Sequence, residues 1–436
     1  MTAVSDRVRD YSHGPIQHRD AASSPLFRRV RTIGVLLGAW RVVRENGLSS
    51  PNQRTRSEVR SFEPSALRHL RRIQTDLKSG RFEFDPQIGI LQPRPGKKPR
   101  PIVVATLKNR IVQRAILDVV QDTPVIQQIL ATPTSYGGIK GRGRDEAVLT
   151  AYEAANQSAT FYLRSDIADF FTGIPREKVH TYLATSISDH EFLRLFRSAT
   201  ETELSNMAQL RSDLDHFPVH EIGVAQGCAL SPLLGNVLLS EFDKSLNGRG
   251  IVCLRYIDDF LILGRNRRSV LRAFESARIL LNNLGLKAYD PRERPDKAAM
   301  GDVDSGFDFL GYNVRPGMIR PSQKSQTAFR NRIQRAVADG RRDLRRTFDQ
   351  QTAQNGLASI LCDISNVVRG WGHSFALCNS RDITSDLDEF VDRQINDLLH
   401  LHTTLRNQAS ALTARRLIGV QLLEDIPNKP FVLRMP

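Results

Sequence analysis

Cysteine is scarce in this chain of 436 residues, and its four copies, Cys228, Cys253, Cys362 and Cys378, never fall at Cys-x-x-Cys spacing. That spacing excludes a zinc ribbon or a disulfide framework and predicts reduced, mostly buried thiols in a cytoplasmic protein. His373 and Cys378 stand close in sequence, but a structural zinc needs four ligands and no further pair lies near. Long apolar runs are absent too. The longest near the N-terminus, Ile33 to Trp40, falls far short of the roughly 20 residues that cross a bilayer. There is no signal-peptide pattern, internal repeat or low-complexity tract. Acidic residues are in deficit: 47 Asp and Glu against 62 Lys and Arg leave a net charge of +15 and a pI near 10.0. No amphipathic lysine-rich anchor accompanies the surplus, so the expected partner is nucleic-acid phosphate and not a membrane.

Some of the acids that remain are placed unusually. Ile251 to Leu254 and Phe260 to Leu263 are apolar β-formers on either side of Tyr256-Ile257-Asp258-Asp259, which predicts a hairpin with the acidic pair at its turn. Asp-Asp is also an ordinary turn dipeptide. Adjacent carboxylates on a rigid ribbon repel unless a cation neutralises them. Oxygen ligands without Cys or His nearby suit Mg²⁺, which takes one or two carboxylates plus substrate phosphates. A second candidate strand, starting at Phe161, ends in Asp166. Beside the hairpin, that third carboxylate would make a two-metal site, with ions roughly 3.5–4 Å apart that clamp the attacking and leaving oxygens of a phosphoryl transfer.

Four segments in order then carry a family resemblance. Asp166-Ile167-Ala168-Asp169-Phe170-Phe171 resembles motif A of reverse transcriptases, and Tyr256-Ile257-Asp258-Asp259 resembles their motif C. Ala225-Gln226-Gly227 with Ser231-Pro232 is similar to the motif B loop, with Ala225 where proline is usual, and Phe309-Leu310-Gly311-Tyr312 to the primer-grip motif E. Pro93 to Pro101 and Lys108 to Ala115 resemble the fingers of group II intron and bacterial reverse transcriptases. Ser135-Tyr136-Gly137-Gly138 resembles their Ser-Tyr-Gly-Phe element, and Arg369-Gly370-Trp371 a segment of group II intron thumbs. The resemblance implies an α+β right-hand polymerase. Residues 1–60 would be an N-terminal arm and helical extension, 61–145 the fingers, 146–320 a palm of antiparallel sheet plus helices, and 321–436 a helical thumb and C-terminal segment.

It also implies roles. Asp166 and Asp258 would bind both metals, Asp259 would be a weaker or single-metal ligand, and the Ile167 carbonyl would complete a shell around two Mg²⁺ ions, with Mn²⁺ as a substitute. Arg94 and Arg100 would meet the triphosphate of the dNTP, a guanidinium being suited to bidentate phosphate binding. Asp169 would lie where backbone amides hold the triphosphate, its side chain capping the turn. Phe171 would be the aromatic gate that leaves no room for a 2′-hydroxyl, and Lys297 a general acid for pyrophosphate departure. Gln226 and Gly227 would lie beneath the templating base pair, glycine permitting close backbone approach. Tyr256, Ile257, Leu310, Gly311 and Tyr312 would contact template or primer, and Ile257, often alanine in bacterial relatives, would bear on fidelity or processivity.

The partners implied are an RNA template, a DNA or RNA primer, dNTPs and a cognate structured non-coding RNA. After residue 400 the chain has no cysteine, so the paired-cysteine nuclease of many mobile intron proteins is not expected. That favours a domesticated antiphage-defence or retron-like enzyme over a group II intron-encoded protein with reverse transcriptase and maturase activity.

Periodicity predicts the remaining elements. Residues 1–25 read as a polar arm, Leu26 to Asn46 as one helix, and Pro64 to Lys78 as another that buries Leu67, Leu70, Ile73 and Leu77. A hairpin from Phe82 to Val104 should turn at Pro95-Gly96, followed by a helix from Lys108 to Gln121. Residues 183–222 read as helical connectors, Lys324 to Phe348 as a helix with arginines all around it, and 356–420 as further helices.

Overall fold

The run Asp259-Phe-Leu-Ile-Leu-Gly264 is apolar at consecutive positions, not at alternate ones, and in the computed structural model it is a strand covered on both faces. Phe260 and Ile262 enter one core while Leu261 and Leu263 enter another, as the period of two requires for a strand between two layers. The structure describes residues 26–94, 97–350 and 355–426; the arm at 1–25 and the Pro95-Gly96 turn lie outside the described residues.

Among the described residues, nine strands form three antiparallel sheets. β1 (Ile88–Arg94) and β2 (Lys97–Val104) make a two-stranded ribbon. β3 (Phe161–Asp166), β4 (Ile251–Tyr256), β5 (Asp259–Gly264) and β6 (Ala299–Asp302) form the central sheet in the order β4-β5-β3-β6. β7 (Phe307–Phe309), β8 (Tyr312–Arg315) and β9 (Met318–Pro321) form a meander. The larger core joins one face of the central sheet to helices including Ile33–Leu48, Leu107–Gln121, Ser231–Leu238 and Arg267–Asn283. The other face packs on helix Arg144–Gln157 and the meander. A third core lies among helices Gln323–Gln350, Leu357–Ser374, Arg381–Gln408 and Ala411–Ile418. No helix among the described residues is long and apolar enough to cross a membrane.

Several expectations need correcting. The first helix is two, Leu26–Val30 and Ile33–Leu48, because the Thr32 side chain accepts from the Val35 N–H and caps a new start. Leu67 is 47% exposed: a short 3₁₀ turn at Glu63–Ser65 precedes the helix Ala66–Lys78, which buries only Leu70, Ile73 and Leu77. The ribbon begins at Ile88, not at Phe82. The connectors between 183 and 222 are interrupted by irregular segments at 187–189 and 201–206. Arginines do not surround helix Gln323–Gln350. They avoid a buried stripe of Phe329, Ile333, Val337 and Leu344, and Arg332, Arg335, Arg341, Arg342, Arg345 and Arg346 are all exposed. The thiols also divide: Cys253 is buried, Cys362 exposed and the other two intermediate.

Candidate active site

β3 and β5 pair with Asp166 opposite Asp259, and β4 and β5 pair with Tyr256 opposite Asp259. Ile257 and Asp258 are the two residues that link β4 to β5, so Asp259 is the first residue of a strand and not part of the turn. Three carboxylates therefore gather at one end of the sheet. The Ile167 N–H donates to the Asp258 carbonyl (3.0 Å), which ties the end of β3 to the turn. On the other side the Tyr289 N–H donates to Asp166 and the Ala168 N–H to Lys287. The Ile167 carbonyl accepts no backbone bond among the described residues.

The turn is strained. Ile257 has φ +62°, in a region where a β-branched residue is an outlier and where two-residue hairpins ordinarily place glycine or asparagine. Such a conformation costs about 1–3 kcal/mol and persists only where its surroundings dictate it. Two features do so. Gly137 presses its backbone against Ile257, and a side chain at Gly137 would collide with Ile257 N. The Ile257 carbonyl also accepts from Arg255 Nη1 at 2.9 Å. Arg255, 1% exposed, is in turn held by Asp243 through two bonds (2.6 and 2.5 Å), by Ser135 Oγ (2.7 Å) and by Asn236 Oδ1 (3.0 Å). Reading the sequence missed this buried network. Its signal was an arginine within an apolar strand, since arginine is almost never fully buried without a partner.

Electrostatics mark the same place. Burial, then the Asp166 and Asp259 carboxylates, push Asp258 up to about 7. Burial and Asp166 push Asp259 up to about 6, against the opposing pull of Arg164, Lys297 and Lys324. Lys297 Nζ stands 3.4 Å from Asp166 Oδ2, which places the lysine at the carboxylates and not on an outer surface. Crowded carboxylates with raised proton affinity suit a site for divalent cations. Among the described residues no group of three or more His, Cys, Asp or Glu side chains is arranged to hold a metal ion, whereas Mg²⁺ takes one or two carboxylates and completes its shell with water and substrate phosphates.

Asp166 and Asp258 line a cleft of about 730 Å³. Its lining also includes Ile167, Ile257 and Lys297, with Arg94, Lys98 and Arg100 of the ribbon. Asp169, Phe171, Gln226 and Gly227 line the same cleft. Asp169 has φ +46° and precedes a short helix, Phe170–Gly173, but its side chain makes no capping bond, contrary to expectation; its carbonyl accepts from Gly173 N and Thr172 Oγ1 instead. Gly227 has φ +123°, and a Cβ there would sit 2.7 Å from the Val103 carbonyl. The close approach that requires glycine is thus to β2. The lining residues missed include Thr172, Tyr289, Asp215 and His216, the last two from a distant segment. These two reach the cleft because Asn206 clamps both backbone groups of Gly89 (2.9 Å each) and Phe217 packs with Val103 and Ala225.

Tyr256, Asp259, Leu310, Gly311 and Tyr312 do not line this cleft. Leu310 and Gly311 form the β7–β8 turn with φ +49° and +88°, and Ser322 N and Ser325 Oγ donate to the Gly311 carbonyl. The Tyr312 ring is fully buried and its hydroxyl donates to the Ser374 carbonyl (3.0 Å). The expectation that Tyr312 touches a primer is corrected to a supporting place beneath the turn.

A family model described as reverse transcriptase (RNA-dependent DNA polymerase) matches residues 92–314, from the ribbon to the meander. The chain belongs to the reverse transcriptase family. As a reverse transcriptase it is 24% identical to Protein YkfC of Escherichia coli (strain K12) over 284 residues, 56% of this chain and 71% of that protein. It is 26% identical over 173 residues to an uncharacterized 91 kDa protein in cob intron of Schizosaccharomyces pombe, covering 40% of this chain. This reverse transcriptase spans only 20% of that relative's length. A chain of a partial Cas6-RT-Cas1–Cas2 complex aligns with a TM-score of 0.35 and 20% identity, covering 60% of this chain and 43% of that one.

Proposed function

We propose that this reverse transcriptase copies a dedicated structured RNA into cDNA by two-metal nucleotidyl transfer, extending a DNA or RNA primer with dNTPs. The observation that carries the reading is that Asp166 and Asp258 line one cleft together with Arg94 and Arg100. Asp166, Asp258, Asp259 and the Ile167 carbonyl would hold two Mg²⁺ ions, or Mn²⁺ in their place. Bound there, the metal supplies Lewis acidity toward the primer hydroxyl and the triphosphate. Arg94 and Arg100 bind the triphosphate oxygens, and the backbone after Asp169 borders them. Phe171, half-buried against Phe170 with ring centroids 5.4 Å apart, closes the space a 2′-hydroxyl needs. Lys297, beside Asp166, is placed to give a proton to departing pyrophosphate. Gln226 and Gly227 lie under the new base pair; Tyr256, Ile257 and the Leu310-Gly311 turn border the primer. In this reading residues 61–145 act as fingers, 146–320 as palm and 321–436 as thumb.

Asp258→Asn tests the site: Mg²⁺-dependent cDNA synthesis should vanish while RNA binding persists, and continued synthesis would place the catalytic centre elsewhere. The biological setting we propose is retron-like or antiphage defence. A second reading, an intron-encoded protein with maturase activity, is supported by the relative whose name places it in a cob intron. Sequencing the RNA that copurifies with the protein separates them, since an RNA with group II intron domains would sink the defence reading.

A further inference from the structure

The arginine surplus is not confined to the cleft. Arg249, Arg265, Arg267, Arg268 and Arg272 are all exposed. They gather where β4 begins and β5 ends, the Arg265 side chain lying against Gly250. β4 and β5 run six residues each, so this end of the ribbon lies about 17 Å from the catalytic turn.

Pairing with carboxylates does not explain these arginines, although Arg267 also lies over the Phe161 ring at 5.9 Å. None of the five forms an ion pair with a carboxylate among the described residues, whereas their neighbour Arg278 pairs with Glu275 and Asp290. Arg267 and Arg268 open helix Arg267–Asn283, whose first turn holds no acid; cations at that end oppose the helix dipole. Arg267, Arg268 and Arg272 also border a hollow of about 500 Å³ in which Glu275 is the sole carboxylate. Unpaired guanidiniums at this spacing suit a row of phosphates, each of which they can meet bidentately.

We propose that this patch is a second RNA-binding surface, one that holds the phosphate backbone of folded RNA while the cleft is engaged with template and primer. The inference rests on the reading of the protein as an RNA-copying enzyme, with the cognate RNA anchored on the outer side of the palm. Phosphates are favoured over base edges, because the patch offers guanidiniums and Phe161, the aromatic ring beneath Arg267, is buried. Binding there is electrostatic and sequence-tolerant, and weakens as salt rises.

The test uses the full chain, its cleft pre-filled with a short template–primer duplex, and a 20-base-pair RNA hairpin as probe. Arg267→Glu with Arg268→Glu and Arg272→Glu should weaken hairpin binding at least tenfold. The slope of log affinity against log salt should fall by about 2–3, near one per lost phosphate contact. Primer extension on the short duplex should stay within twofold, which reports both folding and an intact cleft. Arg268→Gln alone should move affinity and slope in the same direction by less, so a triple variant that fails to fold does not decide the matter. Unchanged affinity and slope overturn the proposal, and so does loss of binding to anionic phospholipid vesicles with hairpin binding kept. If the wild type makes no cDNA yet binds the hairpin through these arginines, the polymerase reading fails and the surface stands.

Discussion

Replacing Asp243 by alanine removes the one carboxylate that neutralises a guanidinium 1% exposed. Breaking a buried pair from one side costs about 3–5 kcal/mol, because the surviving charge has no water to turn to. At about 2–4 °C per kcal/mol for a cooperative unit of roughly 150–250 residues, the size of the proposed palm, the melting temperature of that unit should fall by ~6–20 °C. Thermal denaturation in the absence of nucleic acid measures this directly. The companion variant separates stability from function. Asp243→Leu with Arg255→Met replaces the pair by apolar bulk, which in buried settings is often neutral or stabilising. Yet it still releases the Ile257 carbonyl from Arg255 Nη1. A turn free to relax about 1–3 kcal/mol of strain should lower kcat by about 5- to 150-fold, each 1.36 kcal/mol being tenfold. Two results would refute the reasoning: a cost below about 1 kcal/mol for Asp243→Ala, or full kcat in a stable double variant.

Phe171→Ala should admit rNTPs, read as the ratio of kcat/KM for dNTP over rNTP in primer extension; an unchanged ratio removes the ring as gate. Metal-free protein should lose stability as pH rises. Asp258 and Asp259 bind protons more tightly folded than at the ordinary value of 3.8, up to about 7 and about 6, so the folded state takes up protons and ionisation between those limits works against it. Without divalent metal at pH 8, Asp258→Asn should therefore melt higher than wild type, and added Mg²⁺ should close the gap by stabilising wild type alone; an Asn variant that melts lower contradicts this.

The strands under the site were legible because Phe161–Asp166 and the two arms of the hairpin are dense in β-formers with a carboxylate at one end. Which turn residue would be left-handed was not. Ile257 is a poor candidate by its own chemistry, and what holds the conformation is Gly137, more than a hundred positions away, together with the Arg255 bond to the Ile257 carbonyl. Arg255 could be seen as anomalous in an apolar strand, but Asp243, Asn236 and Ser135 could not be named as its partners before the helices and loops that carry them were placed. Asp215 and His216 were hidden for the same reason. Their segment is pinned by Asn206 bonding to Gly89, a contact between residues 117 positions apart. Local periodicity also failed where one residue changes the register, as Thr32 does by capping a second helix.

The bond from Val103 N to the Gln226 carbonyl, 3.0 Å, lies where β2 leaves the ribbon, and Gly227 leaves no slack between the two backbones. Mechanically, the ribbon is a lever tied to the Gln226-Gly227 loop, with Arg94 and Arg100 beyond the tie. A swing of those arginines would pull on Gln226, so under the proposed function the grip on a triphosphate and the seat of the base pair would move as one.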